Sequence, residues 1–306
     1  MLKKLLLTAA FLPTVAYAGE VEWNTPHKPY HITGNIYSVG TQGIGVYLIT
    51  TPQGHILLDS GTDEGAKLVE ANIQALGFKL TDVKYLIETH AHFDHVGGMA
   101  RLKRDTGAIF IAAEGDRHAL ESGAHDIDNI YGGWSFPPVK VDRTIDDGGT
   151  LILSDTTLTA HLMPGHTHGD ATWTMDVNDN GVVRHVLFYG STTVAGNVLV
   201  NNHSYPGIVA DYRLSFQRLK GLKADILLAN HPEFANLEVK YQAQLNGKTN
   251  AFVDPQAFPK LVAKSEADFD AELKRQSSRI RPGGTASWPY PTYSAAISTG
   301  ADVRIR

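Results

Sequence analysis

The 306-residue chain contains no cysteine. Disulfide bonds are therefore excluded, and a metal ion would find no thiolate ligand. The sequence also has no stripe of basic residues, and its formal net charge is -5. A nucleic-acid partner is not expected for such a chain. Hydrophobic residues make up 42% of the sequence, which is enough for a packed core in one large domain or two small ones.

The sequence also lacks an apolar run long enough to cross a membrane. Its most apolar run, Leu5 to Val15, is short, is broken by Pro13 and follows two lysines. Residues 16–18, Ala-Tyr-Ala, have the small-x-small pattern of a cleavage site, so residues 1–18 are predicted to be a secretory signal peptide. No cysteine follows it to carry a lipid anchor. The mature protein is expected to be free of the membrane and, in a Gram-negative bacterium, periplasmic.

The segment that organises the chain runs from Tyr85 to Gly98 and reads YLIETHAHFDHVGG. It predicts a strand, a loop and the start of a helix. Side chains two apart in extended chain point the same way, so His90 and His92 can converge on one metal ion. Asp94 and His95 point elsewhere, which favours two neighbouring cations over one. Imidazole and carboxylate ligands without thiolate are typical of zinc. A solvated polar loop is the weaker alternative.

Two further histidines follow predicted strands. His166 comes after a strand and a sharp turn at Gly165, and His231 directly follows the apolar strand at 226–229. Site residues of α/β sheets tend to lie at the carboxyl ends of strands, so both are candidate ligands. His168 is interpreted as a supporting or exposed residue. Structural roles are expected for the other histidines, namely His27, His31, His55, His118, His125, His161, His185 and His203.

Strand-like and helix-like patterns alternate through the chain, which is typical of a layered α/β domain. Helices are predicted at 63–76, 211–222 and 254–277, and a hairpin turn at 178–181. Because strands precede helices in each half, the pattern predicts an αββα sandwich of two mixed sheets flanked by helices. One domain is expected over 19–278, followed by a loosely ordered tail at 279–306.

The segment 121–138 contains glycines, prolines and three aromatic residues without a period. Two interpretations are equally open: a mobile wall over a site, or a long surface connection. Tyr131, Trp134 and Phe136 are the residues that would form such a wall.

Several motifs resemble those of the metallo-β-lactamase superfamily, from about Tyr30 to Ser277. They are the THAHFDH loop, the GHT turn at His166 and the histidine after the strand at 226–229. HILLDSG, PGHTHGDATWTM and LVNNHSYPGIVADYRLSF are similar to segments of the subclass B3 enzymes. The resemblance implies two zinc ions per chain, one bound by His90, His92 and His166, and the other bound by Asp94, His95 and His231.

One position bears on the subclass. Thioesterases and lactonases of the superfamily place a bridging aspartate where this chain has Ser191, and other lactamase subclasses place a cysteine there. Serine is a poor zinc ligand, so His95 is expected to complete the second zinc site. The resemblance implies that Ser191 and Thr193 bind a substrate carboxylate; a role in capping backbone groups of the turn is nearly as well supported.

The expected function is hydrolysis of the β-lactam amide of penicillins, cephalosporins and carbapenems, which confers antibiotic resistance. A metal-bound hydroxide would attack the carbonyl, with Asp94 orienting it. The protein is expected to be a monomer whose partner is its small-molecule substrate. Two rivals stay open: a thioester or lactone hydrolase of the same fold, and a periplasmic zinc-binding protein without catalysis.

Overall fold

A computed structural model describes residues 22–130 and 133–279. Two β-sheets face each other in it. The first sheet contains seven strands in chain order, antiparallel from β1 to β4 and parallel from β4 to β7. These strands are β1 (Tyr30–Thr33), β2 (Ile36–Ser38), β3 (Tyr47–Thr51), β4 (Gly54–Leu58), β5 (Val83–Ile87), β6 (Ile109–Ala113) and β7 (Arg143–Ile145).

The second sheet has the strand order β12-β11-β10-β9-β8. Its strands are β8 (Thr150–Leu153), β9 (Thr156–Leu162), β10 (Ala171–Asp179), β11 (Val182–Tyr189) and β12 (Ile226–Ala229). β8 to β11 are antiparallel neighbours, and β12 lies parallel to β11. The predicted hairpin is present between β10 and β11, where Asn180 and Gly181 both have positive φ angles of 52° and 88°, as a type I′ turn requires.

Helices cover the outer faces of both sheets. They are α1 (Ala66–Ala75), the single turn α2 (Phe93–Val96), α3 (Met99–Thr106), α4 (Arg117–Ser122), α5 (Ile208–Leu219), α6 (Leu237–Leu245) and α7 (Ala257–Ser278). Short 3-10 turns lie at Leu80–Asp82, Glu114–Asp116 and Pro232–Ala235. The predicted αββα sandwich of two mixed sheets is thus confirmed.

The alternation of side chains along the strands separates two cores. On β3, Tyr47 and Ile49 face the second sheet, whereas Leu48 packs with Val69 and Ile73 of α1. Between the sheets the Tyr47 ring lies 5.3 Å from that of Phe188, and its hydroxyl donates to the Ala229 carbonyl at 2.5 Å. The same contact holds the ends of β3 and β12 together, beside the loops described below.

Helix boundaries differ from the sequence prediction by a few residues. The first helix begins at Ala66, because the Thr62 hydroxyl accepts the Gly65 N–H at 2.9 Å and turns the chain before it. The last begins at Ala257, because the Asp254 carboxylate accepts the Gln256 N–H. The predicted signal peptide and nearly all of the predicted tail lie outside the described residues. Within the described part of the chain, no helix is both long and apolar enough to cross a bilayer.

Candidate metal centre

The candidate ligands come from three loops at carboxyl ends of strands. His90 and His92 follow β5, and Asp94 and His95 lie in α2, directly after them. His166 follows β9, and the sixth ligand, at position 231, follows β12. The first sheet therefore supplies four of the side chains and the second sheet supplies two. The structure brings all six predicted ligands together, in the two groups that the resemblance implied.

The first group consists of His90, His92 and His166, all of them buried. His166 Nδ1 donates to the Thr193 carbonyl at 2.7 Å, which leaves its Nε2 lone pair free. On His90, Nδ1 lies 3.4 Å from Asp170 Oδ2, which likewise directs Nε2 towards the group. The two Nε2 atoms are 3.1 Å apart. Two nitrogen lone pairs at this distance repel each other unless a cation lies between them.

The second group consists of Asp94, His95 and His231. Asp94 Oδ2 lies 3.2 Å from His95 Nε2 and 3.4 Å from His231 Nε2. The two Nε2 atoms are 3.2 Å apart. Asp94 and His95 are buried, whereas His231 is partly exposed, so this group lies nearer to solvent.

Both groups fit a zinc ion. In each of them the three ligand atoms lie within 4.8 Å of one another. Zinc bonds of about 2.0–2.2 Å in tetrahedral geometry place ligand atoms a little over 3 Å apart, as found between His90 and His166 and among the three ligands of the second group. A donor set of imidazole nitrogens and one carboxylate, without thiolate, also suits zinc.

The electrostatics of the first group favour neutral imidazoles. Burial lowers the pKa of His166 to about 3, and burial together with neighbouring imidazoles lowers the pKa of His90 and His92 well below the usual value. A neutral imidazole is the form that binds a metal. A cation that binds to the first group would therefore displace few protons from its imidazoles.

The second group has a different balance. Burial alone would raise the pKa of Asp94, but the imidazoles of His95 and His231 outweigh it and hold this pKa well below its usual range. For His231, burial acts to lower the pKa, but the Asp94 carboxylate more than compensates, so the pKa is raised. Asp94 is therefore the one anionic ligand among the six.

Three buried carboxylates that sequence reasoning did not select lie around the two groups. Asp170 faces His90, and Asp59 Oδ2 lies 3.7 Å from His95 Nδ1. Asp116 accepts hydrogen bonds from the ligand loops that follow β5 and β9. Carboxylates in such positions fix the orientation of ligating imidazoles. Their signal in the sequence is weak: each is a single acid next to a strand end, where acids also cap turns.

Ser191 and Thr193 lie beside the first group, at the end of β11. Their hydroxyls are 3.0 Å apart, and the Thr193 N–H lies 3.2 Å from Ser191 Oγ, so a capping contact within the turn is present. Ser191 is buried, with 2% exposure, while Thr193 is partly exposed. The predicted contact of these two hydroxyls with a substrate carboxylate stays a prediction.

The described residues of the segment 121–138 fold against the ligand loop. An N–H···O bond of 3.1 Å joins His125 to the Trp134 carbonyl. The Trp134 ring packs on Phe93 at 4.8 Å and faces His92 at 6.5 Å, so it forms part of a wall over the site. Phe136 instead belongs to the core under the first sheet. Tyr131 lies outside the described residues.

His125, for which only a structural role is expected from the sequence, lies beside a candidate ligand. Its ring lies 4.9 Å from that of His92, because the hydrogen bond to Trp134 folds the loop back over the candidate ligands. No spacing in the sequence indicates this approach. His168 stacks on Tyr205 with 3.9 Å between ring centres and belongs to neither ligand group.

Comparisons with known proteins agree with this geometry. The family model described as "Metallo-beta-lactamase superfamily" matches residues 40–231. Among solved structures, BJP-1, a subclass B3 metallo-beta-lactamase of Bradyrhizobium japonicum, is 41% identical with a TM-score of 0.81, over 85% of this chain and 99% of that one. The native FEZ-1 metallo-beta-lactamase from Legionella gormanii is 37% identical with a TM-score of 0.80, over 83% and 98%.

More distant curated relatives carry other names. An N-acyl homoserine lactonase of Azorhizobium caulinodans is 26% identical over 44% of this chain, and a hydroxyacylglutathione hydrolase of Rhodospirillum rubrum is 24% identical over 61%. The chain spans only 60% and 61% of the length of these two relatives. The family match and the structural relatives, by contrast, cover most of the chain. The protein therefore belongs to the metallo-beta-lactamase superfamily and, within it, to the subclass B3 metallo-beta-lactamases.

Proposed function

We propose that this protein is a zinc-dependent β-lactamase that opens the ring amide of penicillins, cephalosporins and carbapenems and so confers antibiotic resistance. The observation that carries the proposal is the composition of the second group. His95 completes it, at 3.2 Å from both His231 Nε2 and Asp94 Oδ2, while Ser191 at the end of β11 makes its hydrogen bond to Thr193 instead. The family resemblance implies a bridging aspartate at the position of Ser191 in thioester and lactone hydrolases, so the serine favours a β-lactamase.

Bound zinc would supply a Lewis acid for the amide carbonyl and an activated water as nucleophile. His90, His92 and His166 would hold one ion, and their lowered pKa values keep them neutral for this role. Asp94, with His95 and His231, would hold the second and accept a hydrogen bond from the attacking water. Since Asp94 is the sole anionic ligand, two divalent cations leave the centre positively charged. An anionic substrate is attracted to such a centre, and β-lactams carry a carboxylate beside the ring nitrogen.

The surroundings of the centre would bind the rest of the substrate. The hydroxyls of Ser191 and Thr193 are proposed to bind its carboxylate, at the edge where Thr193 is partly exposed. Trp134 and Phe93 offer an apolar surface on the other side of His92. These contacts recognise a carboxylate and an apolar group, which many β-lactams share, and this supports activity on several β-lactam classes.

The site of action and the working form are part of the proposal. Residues 1–18 are proposed to direct export and to be removed, so that the protein acts in the periplasm on β-lactams that enter there. The folded domain is proposed to act as a monomer, because both ligand groups are assembled within one chain.

The test compares turnover of nitrocefin with that of S-lactoylglutathione by the purified protein, before and after dialysis against EDTA. We expect hydrolysis of nitrocefin that is lost with the metal and restored by zinc. Faster turnover of the thioester would favour the rival hydrolase. Two bound zinc ions without hydrolysis of either compound would favour a zinc-binding protein. Undiminished activity in excess EDTA would refute both zinc-dependent hydrolases, the proposed β-lactamase and its rival.

A further inference from the structure

Asp116 is a buried carboxylate to which the proposed reaction gives no role. It lies after β6, in the turn Glu114–Asp116, and its exposure is 1%. Three hydrogen bonds reach its side chain: the Ala91 N–H at 2.8 Å and the Thr167 hydroxyl at 2.8 Å, both to Oδ2, and the Gly169 N–H at 2.7 Å to Oδ1. Both carboxylate oxygens are thus used, and every partner is a donor.

The three donors belong to the two loops that form the first metal group. Ala91 lies between the two ligands of the first loop, and Thr167 directly follows the ligand of the second loop. We propose that Asp116 is a positioning residue that sets the distance between the His90–His92 loop and the His166 loop, and so builds the first zinc site. This inference rests on the proposed zinc function. It concerns assembly of the site and not a step of the reaction.

The backbone around Asp116 approaches the second loop directly. A Cβ atom at Gly115 would lie 2.4 Å from the His168 carbonyl oxygen, and one at Gly169 would lie 2.6 Å from the Asp116 nitrogen. No side chain larger than hydrogen fits at either position without displacing backbone. The two glycines therefore allow the close approach that the carboxylate then fixes through its hydrogen bonds.

The carboxylate acts on one group only. Its donors are next to His90, His92 and His166, and no hydrogen bond in the described residues joins its side chain to Asp94, to His95 or to the loop that carries His231. The second group has another buried carboxylate, since Asp59 faces His95. Loss of Asp116 should therefore weaken the first zinc site selectively, whereas a general loss of stability would weaken both.

The test measures zinc affinity by competition with a chromophoric chelator, and cobalt absorption, in a His231→Ala background that leaves the first site alone. We expect Asp116→Asn to weaken this site by about 10- to 100-fold, as loss of a partner that orients a ligand typically does. Thr167→Val, which removes one of the three donors, should have a smaller effect. Thr167→Ser, which keeps the hydroxyl, should bind zinc like the parent.

The complementary measurement uses a His166→Ala background, in which only the second site is left, and there Asp116→Asn should leave the affinity unchanged. Circular dichroism of each zinc-free variant checks its fold. If Asp116→Asn does not fold, the Thr167 pair carries the test. Equal weakening of both sites, or an unchanged first site, would overturn the proposal. Neither readout depends on β-lactam turnover, so failure of the proposed function would be seen separately.

Discussion

The Nε2 atoms of His90 and His166 lie 3.1 Å apart, although 76 positions separate these residues in the chain. Each ring is turned to this point by an oxygen on its far side, from Asp170 and from the Thr193 carbonyl respectively. The two lone pairs thus face each other, and the fold directs both rings to one point where a cation could bind between them.

Replacement of His166 by alanine should abolish activity, because it removes one of three ligands of the first site. We expect a fall in kcat of more than about 100-fold. Loss of a residue that only supports a metal ligand typically costs 10- to 100-fold in metal affinity or activity, and loss of the ligand itself should cost more. His168→Ala is the matched control, because this ring lies two residues away and stacks on Tyr205. Zinc content by atomic absorption should fall in the first variant and stay at two per chain in the second. Comparable losses in both variants would contradict the ligand assignment.

Thr193→Val tests the proposed contact with the substrate carboxylate. The substitution keeps the shape of the side chain and the backbone carbonyl that orients His166. We expect KM for a β-lactam to rise roughly tenfold with kcat little changed, since a hydrogen bond to a charged group is worth about 1.5 kcal/mol or more. A substrate whose carboxylate is esterified should show no such rise. If the hydroxyl serves only the turn, the melting temperature will fall and KM will not change.

Zinc loss on acidification should begin at the second site. The pKa of His231 is raised, so below that pKa a proton occupies the nitrogen that zinc needs, and affinity should fall about tenfold for each pH unit. In the first site burial lowers the pKa values, that of His166 to about 3, so protons compete little above pH 5. Titration with zinc from pH 7.5 down to pH 5 should therefore give a dissociation constant that rises for the second site and one that stays steady for the first. If both sites lost zinc affinity in parallel, the direction given for one of the two pKa shifts would be wrong.

Gly165→Ala should destabilise the protein and disturb His166. The φ angle of Gly165 is +133°, and a Cβ atom there would lie 2.8 Å from the Tyr212 ring. Strain and collision together should cost roughly 2–3 kcal/mol of unfolding free energy in urea. Gly247→Ala is the matched control, because its φ is also positive, at +84°, but nothing lies within 4 Å of the added Cβ. It should lose only about 1 kcal/mol. Equal losses would mean that the contact with Tyr212 is unimportant.

The sequence predicts the candidate ligands of this site better than the buried carboxylates that hold them in place. Histidines after the strands β5, β9 and β12 stand out, because the carboxyl ends of strands meet at one edge of a fold. The prediction of the sandwich and of the six ligands rests on this regularity and on the family resemblance. Asp59, Asp116 and Asp170 have no comparable signal, because a single buried acid cannot be distinguished in sequence from a turn or cap residue.

Three other features could not be predicted from the sequence, each for its own reason. His125 reaches the site only because a loop without periodic pattern folds back over it. Helix α6 was missed because its apolar residues do not form one buried face: Val239 and Leu245 are 69% and 61% exposed. The helices at Ala66 and Ala257 begin later than predicted, because local hydrogen bonds to the side chains of Thr62 and Asp254 hold the preceding residues in a turn. Tertiary folding decides the position of His125, whereas local hydrogen bonds decide these two helix starts.

Each ligand group takes side chains from both sheets: His90 and His92 join His166, and Asp94 and His95 join His231. A bound ion in either place would link distant parts of the chain as a disulfide does elsewhere, in a sequence that has no cysteine. Metal supply would then govern how long the folded protein survives heat or proteases, as well as how fast it works. Zinc starvation would reduce the amount of intact protein along with its activity.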